Sequence, residues 1–254
     1  MRSNPAVASF APWARAHRTY DVAPGPHLVT VAHGTRTAAG NEVARALTTA
    51  AARRLGWPAT ASYVELCAPT FSEVLVEAAQ STAPTVVVPL LLSTGYHLRH
   101  DLPAAVGGAG RGDVHLGRAL GPDPLLADAQ AERLRGAGAA AGQPVVMVAA
   151  GSTDPAATAD LDAATRLLGQ AWGAPVRLAT LSGRGPRLAE VVRPGDAVSP
   201  YLLATGHFHH RARRDACAAG VRVVADVLGA HPRVVDLVVE RALALVRSAT
   251  HVPA

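Results

Sequence analysis

Lysine is missing from this chain: all 24 basic residues are arginine. That excludes Schiff-base catalysis and any other chemistry carried by a lysine amine. Isoleucine is missing too while alanine abounds, and the codon bias of a GC-rich genome accounts for both gaps. Cysteine is nearly absent, with Cys67 and Cys217 far apart and no CxxC pair. A disulfide framework is thereby excluded, and a reducing cytoplasm is the expected compartment. Aromatic residues make up 4% and the arginines are dispersed, which leaves no base-stacking platform, so no nucleic-acid partner is expected. No apolar run approaches the ~20 residues of a membrane helix, because Pro, Gly, Arg or His interrupts each one, and no membrane association is expected. Residues 1–26 hold four prolines and three arginines but no apolar core of a secretory signal, and they read as a flexible tail.

What is present is apolar and regular. Of 254 residues, 49% are hydrophobic, enough for one large α/β domain or two of ordinary size. Apolar runs alternate with helix-period segments, the pattern of βα units around a parallel sheet. The first half predicts strands at Leu28–Ala32, Ala61–Leu66, Thr85–Leu92 and Val114–Leu120. Helices are expected near Asn41–Leu55, Thr70–Gln80 and Asp101–Val106, with a fourth after Pro122. Val43, Leu47, Ala51 and Leu55 form a stripe at i, i+4, i+8 and i+12, and Thr70 with Glu73 forms a capping box.

The second half repeats the plan, with strands at Val145–Ala149, Val176–Leu181, Ala197–Ala204 and Val221–Leu228 and a helix through Asp236–Val246. Three landmarks recur in order: VAHGT from Val31 with VAAGS from Val148, PLLLSTGYH from Pro89 with PYLLATGHF from Pro200, and LGPDP from Leu120 with LGAHP from Leu228. Ordered recurrence of this kind means an internal duplication. The expectation is two similar α/β domains, 27–140 and 141–250, each a small, mainly parallel four-stranded sheet flanked by helices, joined through GAGAAAGQ and facing one another across a cleft.

Ligands of parallel α/β sheets bind beyond the carboxyl ends of the strands. In the first half those ends carry His33, Glu65 and His97, spaced by 32 residues each time, one βα period. A strand order of 2-1-3-4 makes their carriers adjacent. Two imidazoles and a carboxylate suit a divalent transition metal, and the same groups accept protons near neutral pH. Around them lie Arg36 and Arg99, within three residues of the two histidines. In the second half GHFHHRARRD places His207, His209, His210, Arg211, Arg213 and Arg214 in the equivalent loop. That cluster reads as a wall for an acidic ligand, a collector of metal, or a solvated loop. His100 and Asp101 read as a helix start, and Cys67 as an inert thiol. The net charge of +5 favours an acidic partner.

The HGTR opening at His33–Arg36, VELCAPTF from Val64, PLLLSTGYHLRHDLP from Pro89 and GPDPLL from Gly121 together resemble the sirohydrochlorin chelatases. These class II chelatases of siroheme and cobalamin synthesis insert a divalent metal into sirohydrochlorin without a nucleotide. The resemblance runs from about Leu28 to Val246. It implies two small parallel sheets facing across a cleft for the tetrapyrrole, with His33 and His97 catalytic and metal-binding and Glu65 as the associated acidic group. It also implies the fused form, a monomer, with no cofactor beyond the substrate metal (Fe2+, Co2+ or Ni2+). Because that substrate carries many carboxylates, Arg36, Arg99, His207 and Arg211 are expected to bind it.

Two departures from the family pattern stand out. Thr35 occupies a position where serine is expected. The second-half equivalents of His33, Glu65 and His97 read as Ala150, approximately Thr180, and Phe208, so one active site is expected, on the first half. Two other readings remain: a non-catalytic tetrapyrrole or metal carrier, and a histidine-dependent phosphatase. The phosphatase needs an arginine immediately before the histidine, where this chain has Ala32.

Overall fold

The molecule is described from a computed structural model over residues 25–110 and 113–249, so all but the last two residues of the expected tail lie outside the described residues. The first half runs β1 His27–Ala32, α1 Ala38–Leu55, β2 Ala59–Tyr63, α2 Phe71–Ala78, β3 Thr85–Pro89, a π-helical turn His97–Asp101, α3 Leu102–Gly108, β4 Val114–Leu116 and α4 Pro124–Gly136. The second runs β5 Val145–Ala149, α5 Pro155–Trp172, β6 Val176–Thr180, α6 Leu188–Val191, β7 Ala197–Tyr201, α7 His207–Ala218, β8 Val223–Val224 and α8 Pro232–Ala249. Each half forms a sheet in which every pairing is parallel, ordered β2-β1-β3-β4 and β6-β5-β7-β8.

The central strands β1, β3, β5 and β7 are mostly apolar because both sheet faces are covered. Alternate residues of β1 and β3 divide between two cores: Leu28, Val86 and Val88 face the molecular centre, whereas Val29, Val31 and Val87 face α2 and α3. The second sheet divides likewise, with Val145 and Met147 central and Val146 and Val148 toward α6 and α7. Helix ends follow local chemistry. Thr70 and Glu73 form the capping box that starts α2, Asp123 and Asp154 cap α4 and α5, and left-handed Gly56 and Gly173 end the twin helices α1 and α5.

Packing departs from two self-contained domains. α4 leaves the first half and packs on α5 and β7 of the second, while α8 returns from the second half to pack on α1, β3 and β4 of the first. Gln130 of α4 donates to Ser199 Oγ at 2.9 Å and Arg133 to the Leu228 carbonyl at 3.0 Å. In the other direction, Arg241 of α8 bonds Asp123 at 2.8 Å and the Leu120 carbonyl at 3.1 Å, and Arg54 of α1 pairs with Asp236. A cut at residue 140 therefore divides the strands but not the packing. The central core between the sheets is continuous across both halves.

Several expected elements differ: in the second half the strands expected over 176–181, 197–204 and 221–228 stop at Thr180, Tyr201 and Val224. The strands of 61–66, 85–92 and 114–120 end by Tyr63, Pro89 and Leu116, so the residues beyond them are loops. The helix expected from Asp101 starts earlier, as a π-helical turn at His97. GHFHHRARRD is not a loop but the first turns of α7.

Candidate functional site

Chain direction brings the carboxyl ends of both sheets to one cleft. β1 and β2 keep pairing past their last strand residues: Val64 N–H donates to the Ala32 carbonyl at 2.8 Å and Glu65 N–H to the His33 carbonyl at 3.1 Å. This carries His33 and Glu65 side by side into solvent. The turn between them demands Gly34, whose φ is +95° and where a Cβ would lie 1.9 Å from the Glu65 carbonyl oxygen. His97 arrives from β3 on the π-helical turn, a local geometry often found at functional sites.

The three side chains converge. One ligand atom from each of His33, Glu65 and His97 lies within 4.8 Å of the others. His33 Nδ1 stands 3.6 Å from Glu65 Oε1, too far for a hydrogen bond, so that carboxylate is open to a further partner. The two imidazole centroids are 4.8 Å apart at 65°. Metal–ligand bonds of ~2.0–2.2 Å set ligands roughly 3–4 Å apart, so a modest inward adjustment seats a divalent ion among the three.

Asp101, read from the sequence as a helix start, is the side-chain partner of His97. Its carboxylate lies 2.6 Å from His97 Nδ1, one turn away at i+4. An ionised carboxylate only accepts, so the His97–Asp101 contact assigns Nδ1 as the donor and leaves Nε2 as the ring nitrogen not engaged by Asp101. The signal was the HLRHD spacing, which puts His97 and Asp101 on one helical face.

His33, Leu90, Leu202, Leu203 and Phe208 form a waist between two cavities of about 440 and 460 Å³, each within the ~300–1,000 Å³ of small-molecule sites. One is walled by Arg36, Leu66, His207 and His209, the other by Tyr96, His97, Ala150 and Ser152. A larger groove of about 620 Å³ runs between α1 and β2 past Arg45, Arg53 and Trp57, and none of the three cluster residues lines it. Leu66, directly after Glu65, adopts φ 67° and is half exposed in the first cavity.

The outlying expected residues separate. Arg36 and His207 line the first cavity. Arg99 pairs with Asp154 of the second half at 3.5 Å instead of standing free. Arg211 sits one turn along α7 from His207, pairs with Asp215 at 3.6 Å, and faces Arg187 and Leu188 in a recess outside the cleft. It is withdrawn because GHFHHRARRD is helical. Cys67 Sγ donates to the Ala68 carbonyl and lies outside the cluster. His209 is buried, with neither ring nitrogen hydrogen-bonded, and burial lowers its pKa.

Strand register pairs Ala32 with Tyr63 and Ala149 with Thr180, so Thr180 corresponds to Tyr63. The counterpart of Glu65 is Ser182, two residues on, whose N–H donates to the Ala150 carbonyl as Glu65 N–H does to His33. Ala150 and Phe208 occupy the places of His33 and His97. The second half thus has Ala150, Ser182 and Phe208 at these places, Ala150 and Phe208 lining the cleft and the Ser182 hydroxyl donating to the Ala150 carbonyl at 2.7 Å, and no cluster of metal-ligating side chains occurs there among the described residues.

The CbiX family model matches residues 27–137 and again 144–245. The chain is 29% identical over 197 residues to the sirohydrochlorin ferrochelatase of Priestia megaterium, covering 70% of this chain and 73% of that one. Among solved structures, SirB from Bacillus subtilis with Fe3+ superposes with a TM-score of 0.77 at 24% identity, over 89% of this chain and 98% of that one. SirB from Bacillus subtilis subspecies spizizenii in complex with cobalt gives 0.77 at 23%, over 89% and 97%. CbiX, described as the terminal enzyme for biosynthesis of siroheme in denitrifying bacteria, gives 0.64 at 19%, over 86% and 98%. At these identities the structures speak for the fold.

Proposed function

The chain belongs to the CbiX family, whose model spans both of its halves, and on that premise we propose that it inserts a divalent metal ion into sirohydrochlorin, with His33, Glu65 and His97 as the reacting centre. The observation that carries the reading is the convergence of these three side chains beside a cleft walled by both halves, with His33 at its waist and His97 lining one of its two cavities. The likeness to a sirohydrochlorin ferrochelatase, and to SirB with Fe3+ and with cobalt, supports Fe2+ or Co2+ as the metal, with Ni2+ equally compatible with His and carboxylate donors.

Insertion exchanges two pyrrole N–H protons for one M2+, so each proton needs an acceptor. The imidazole lone pairs serve twice: they hold the entering metal, and as the macrocycle nitrogens take it they become free to accept the protons. Asp101 stabilises the imidazolium formed at His97, and Glu65, open at 3.6 Å, stays with the metal until transfer or steadies protonated His33. Arg36 and His207 hold peripheral carboxylates of the macrocycle, and Phe208 lies against its face. The fused halves complete the cleft within one chain, so a monomer suffices. No described helix is long and apolar enough to cross a membrane.

The test is anaerobic absorbance with sirohydrochlorin and Fe2+, Co2+ or Ni2+. Native protein should accelerate insertion, and His33→Ala and His97→Ala should each lose at least about a hundredfold of that rate. Binding of metal or tetrapyrrole at background insertion rate makes the protein a carrier, and variants that match native rate remove the site assignment.

A further inference from the structure

The two loops that enter the cleft from β3 and β7 are copies of one another, yet among the described residues only one is tied to the opposite half by hydrogen bonds and an ion pair. Strand register places Pro89 opposite Val31 and Pro200 opposite Val148, so Leu92 corresponds to Leu203, Thr94 to Thr205 and His97 to Phe208. Thr94 N–H donates to Asp160 Oδ2 of α5 at 2.6 Å. The Tyr201 hydroxyl donates to the Leu92 carbonyl at 3.0 Å. Arg99 Nη1 lies 3.5 Å from Asp154 Oδ2 at the start of α5. All three contacts cross from the second half to residues 92–99, on both sides of His97.

Among the described residues the other loop has no counterpart of these contacts. α1 and α5 match residue for residue from Ala38 and Pro155, which sets Val43 in the place of Asp160 and Thr37 in that of Asp154. Valine offers no acceptor and threonine no charge. Leu90 stands where Tyr201 does and has no hydroxyl to donate. The Tyr201 bond also needs its surroundings: at Gly121 a Cβ would lie 2.1 Å from the Tyr201 oxygen. Burial, with Asp160 and Asp123 nearby, pushes the Tyr201 phenol far above its ordinary range and keeps it a donor.

We propose that the second half, having no reacting trio of its own, holds the His97 loop in register through Asp160 and Tyr201 as positioning residues, with the Arg99–Asp154 pair as a weaker third tether. The assignment rests on the chelatase reading of the site. Its physical content is that His97 must meet His33 and Glu65 within a fraction of an ångström, while its own loop has few internal hydrogen bonds to hold it. Among the described residues the fastening is therefore found on the loop that carries the reacting His97, and not on its copy, where Phe208 stands in that place.

The experiment compares Asp160→Ala, Asp160→Asn and Tyr201→Phe in the full chain with Asp162→Ala, an exposed change on the same helix. It measures kcat and KM for Co2+ insertion into sirohydrochlorin, Co2+ affinity in the absence of the tetrapyrrole from the visible absorption of the bound ion, and Tm. Asp160→Ala should lower kcat about ten- to hundredfold with KM for the tetrapyrrole nearly unchanged, and should weaken Co2+ binding, because the loop no longer presents His97. Asp160→Asn keeps an acceptor oxygen and should recover most of kcat. Tyr201→Phe removes one hydroxyl without changing volume and should show the same pattern more mildly. Asp162→Ala should behave as native. Unchanged kcat and Co2+ affinity in both Asp160→Ala and Tyr201→Phe overturns the proposal, as does a loss confined to KM or to Tm. If native protein inserts no metal the chelatase reading fails, and the Co2+ affinities alone then decide whether the tether positions His97.

Discussion

Gly34 and Gly151 occupy the same point in the two copies, and each is wedged against a neighbouring carbonyl. A Cβ at Gly34 would lie 1.9 Å from the Glu65 oxygen, and at Gly151 2.0 Å from the Ser182 oxygen, with φ of +95° and +86°. Alanine at either position should cost about 3 kcal/mol, since backbone cannot yield as a side-chain tip does. The consequences should part at the site. G34A separates His33 from Glu65 and should weaken Co2+ binding as well as lowering the urea midpoint. G151A should lower the midpoint alone. Equal Co2+ affinity in both variants counts against Glu65 as a ligand. Asp101 makes a second residue-scale case. With the His97 Nδ1 partner gone, D101A should lose about ten- to hundredfold in Co2+ affinity, read by competition with a chelator, and D101N, which still offers an accepting oxygen, should lose less.

At the scale of elements, α7 and the turn before α8 each bury a histidine. Burial lowers the pKa of His209, opposed by Asp226 and assisted by Arg213 and His210. It also lowers that of His231, opposed by Glu132, whose carboxylate lies 3.3 Å away. A histidine held below its unfolded pKa of about 6.5 contributes fully above that pH and loses its contribution as pH falls through the lowered folded value. Urea midpoints should therefore drop between pH 7.5 and 5.5, and H209Q or H231Q should flatten the dependence; parallel curves for all three proteins would refute the assignment. How far these elements were readable follows from their composition. β1, β3, β5 and β7 are mostly apolar runs between turn residues, and the Thr70–Glu73 box announced α2, so strands and sheet order were legible. α7 was not, because HFHHRARRD has almost no apolar stripe and only Ala212 and Ala216 mark its inner face. The trio was legible from its 32-residue spacing. The Ser182 equivalence was not, because it depends on where β6 stops. Nor was Arg211's withdrawal, which depends on α7 being a helix.

The whole molecule is interlocked in a way that no local pattern announces, because the apolar face of a helix does not say which sheet it covers. Each closes the half it did not come from, and the central core runs through Leu28, Val86, Leu134, Val145, Leu168 and Leu237 without a seam. Two independently folding domains would unfold in two steps and respond separately to mutation. One shared core predicts a single cooperative transition. Leu237 is fully buried on α8, which packs against α1 and the first sheet but belongs by sequence to the second half. L237A should cost about 2–5 kcal/mol through the cavity it leaves. If the halves are interlocked, that loss should appear equally in the hydrogen-exchange protection of β1 and β3 and of β5 and β7. Exchange that rises in β1 and β3 alone would mean that the first sheet opens by itself. The positioning role assigned to Asp160 and Tyr201 would then lack the rigid support it requires, since a tether aligns His97 only as firmly as the half that holds its other end.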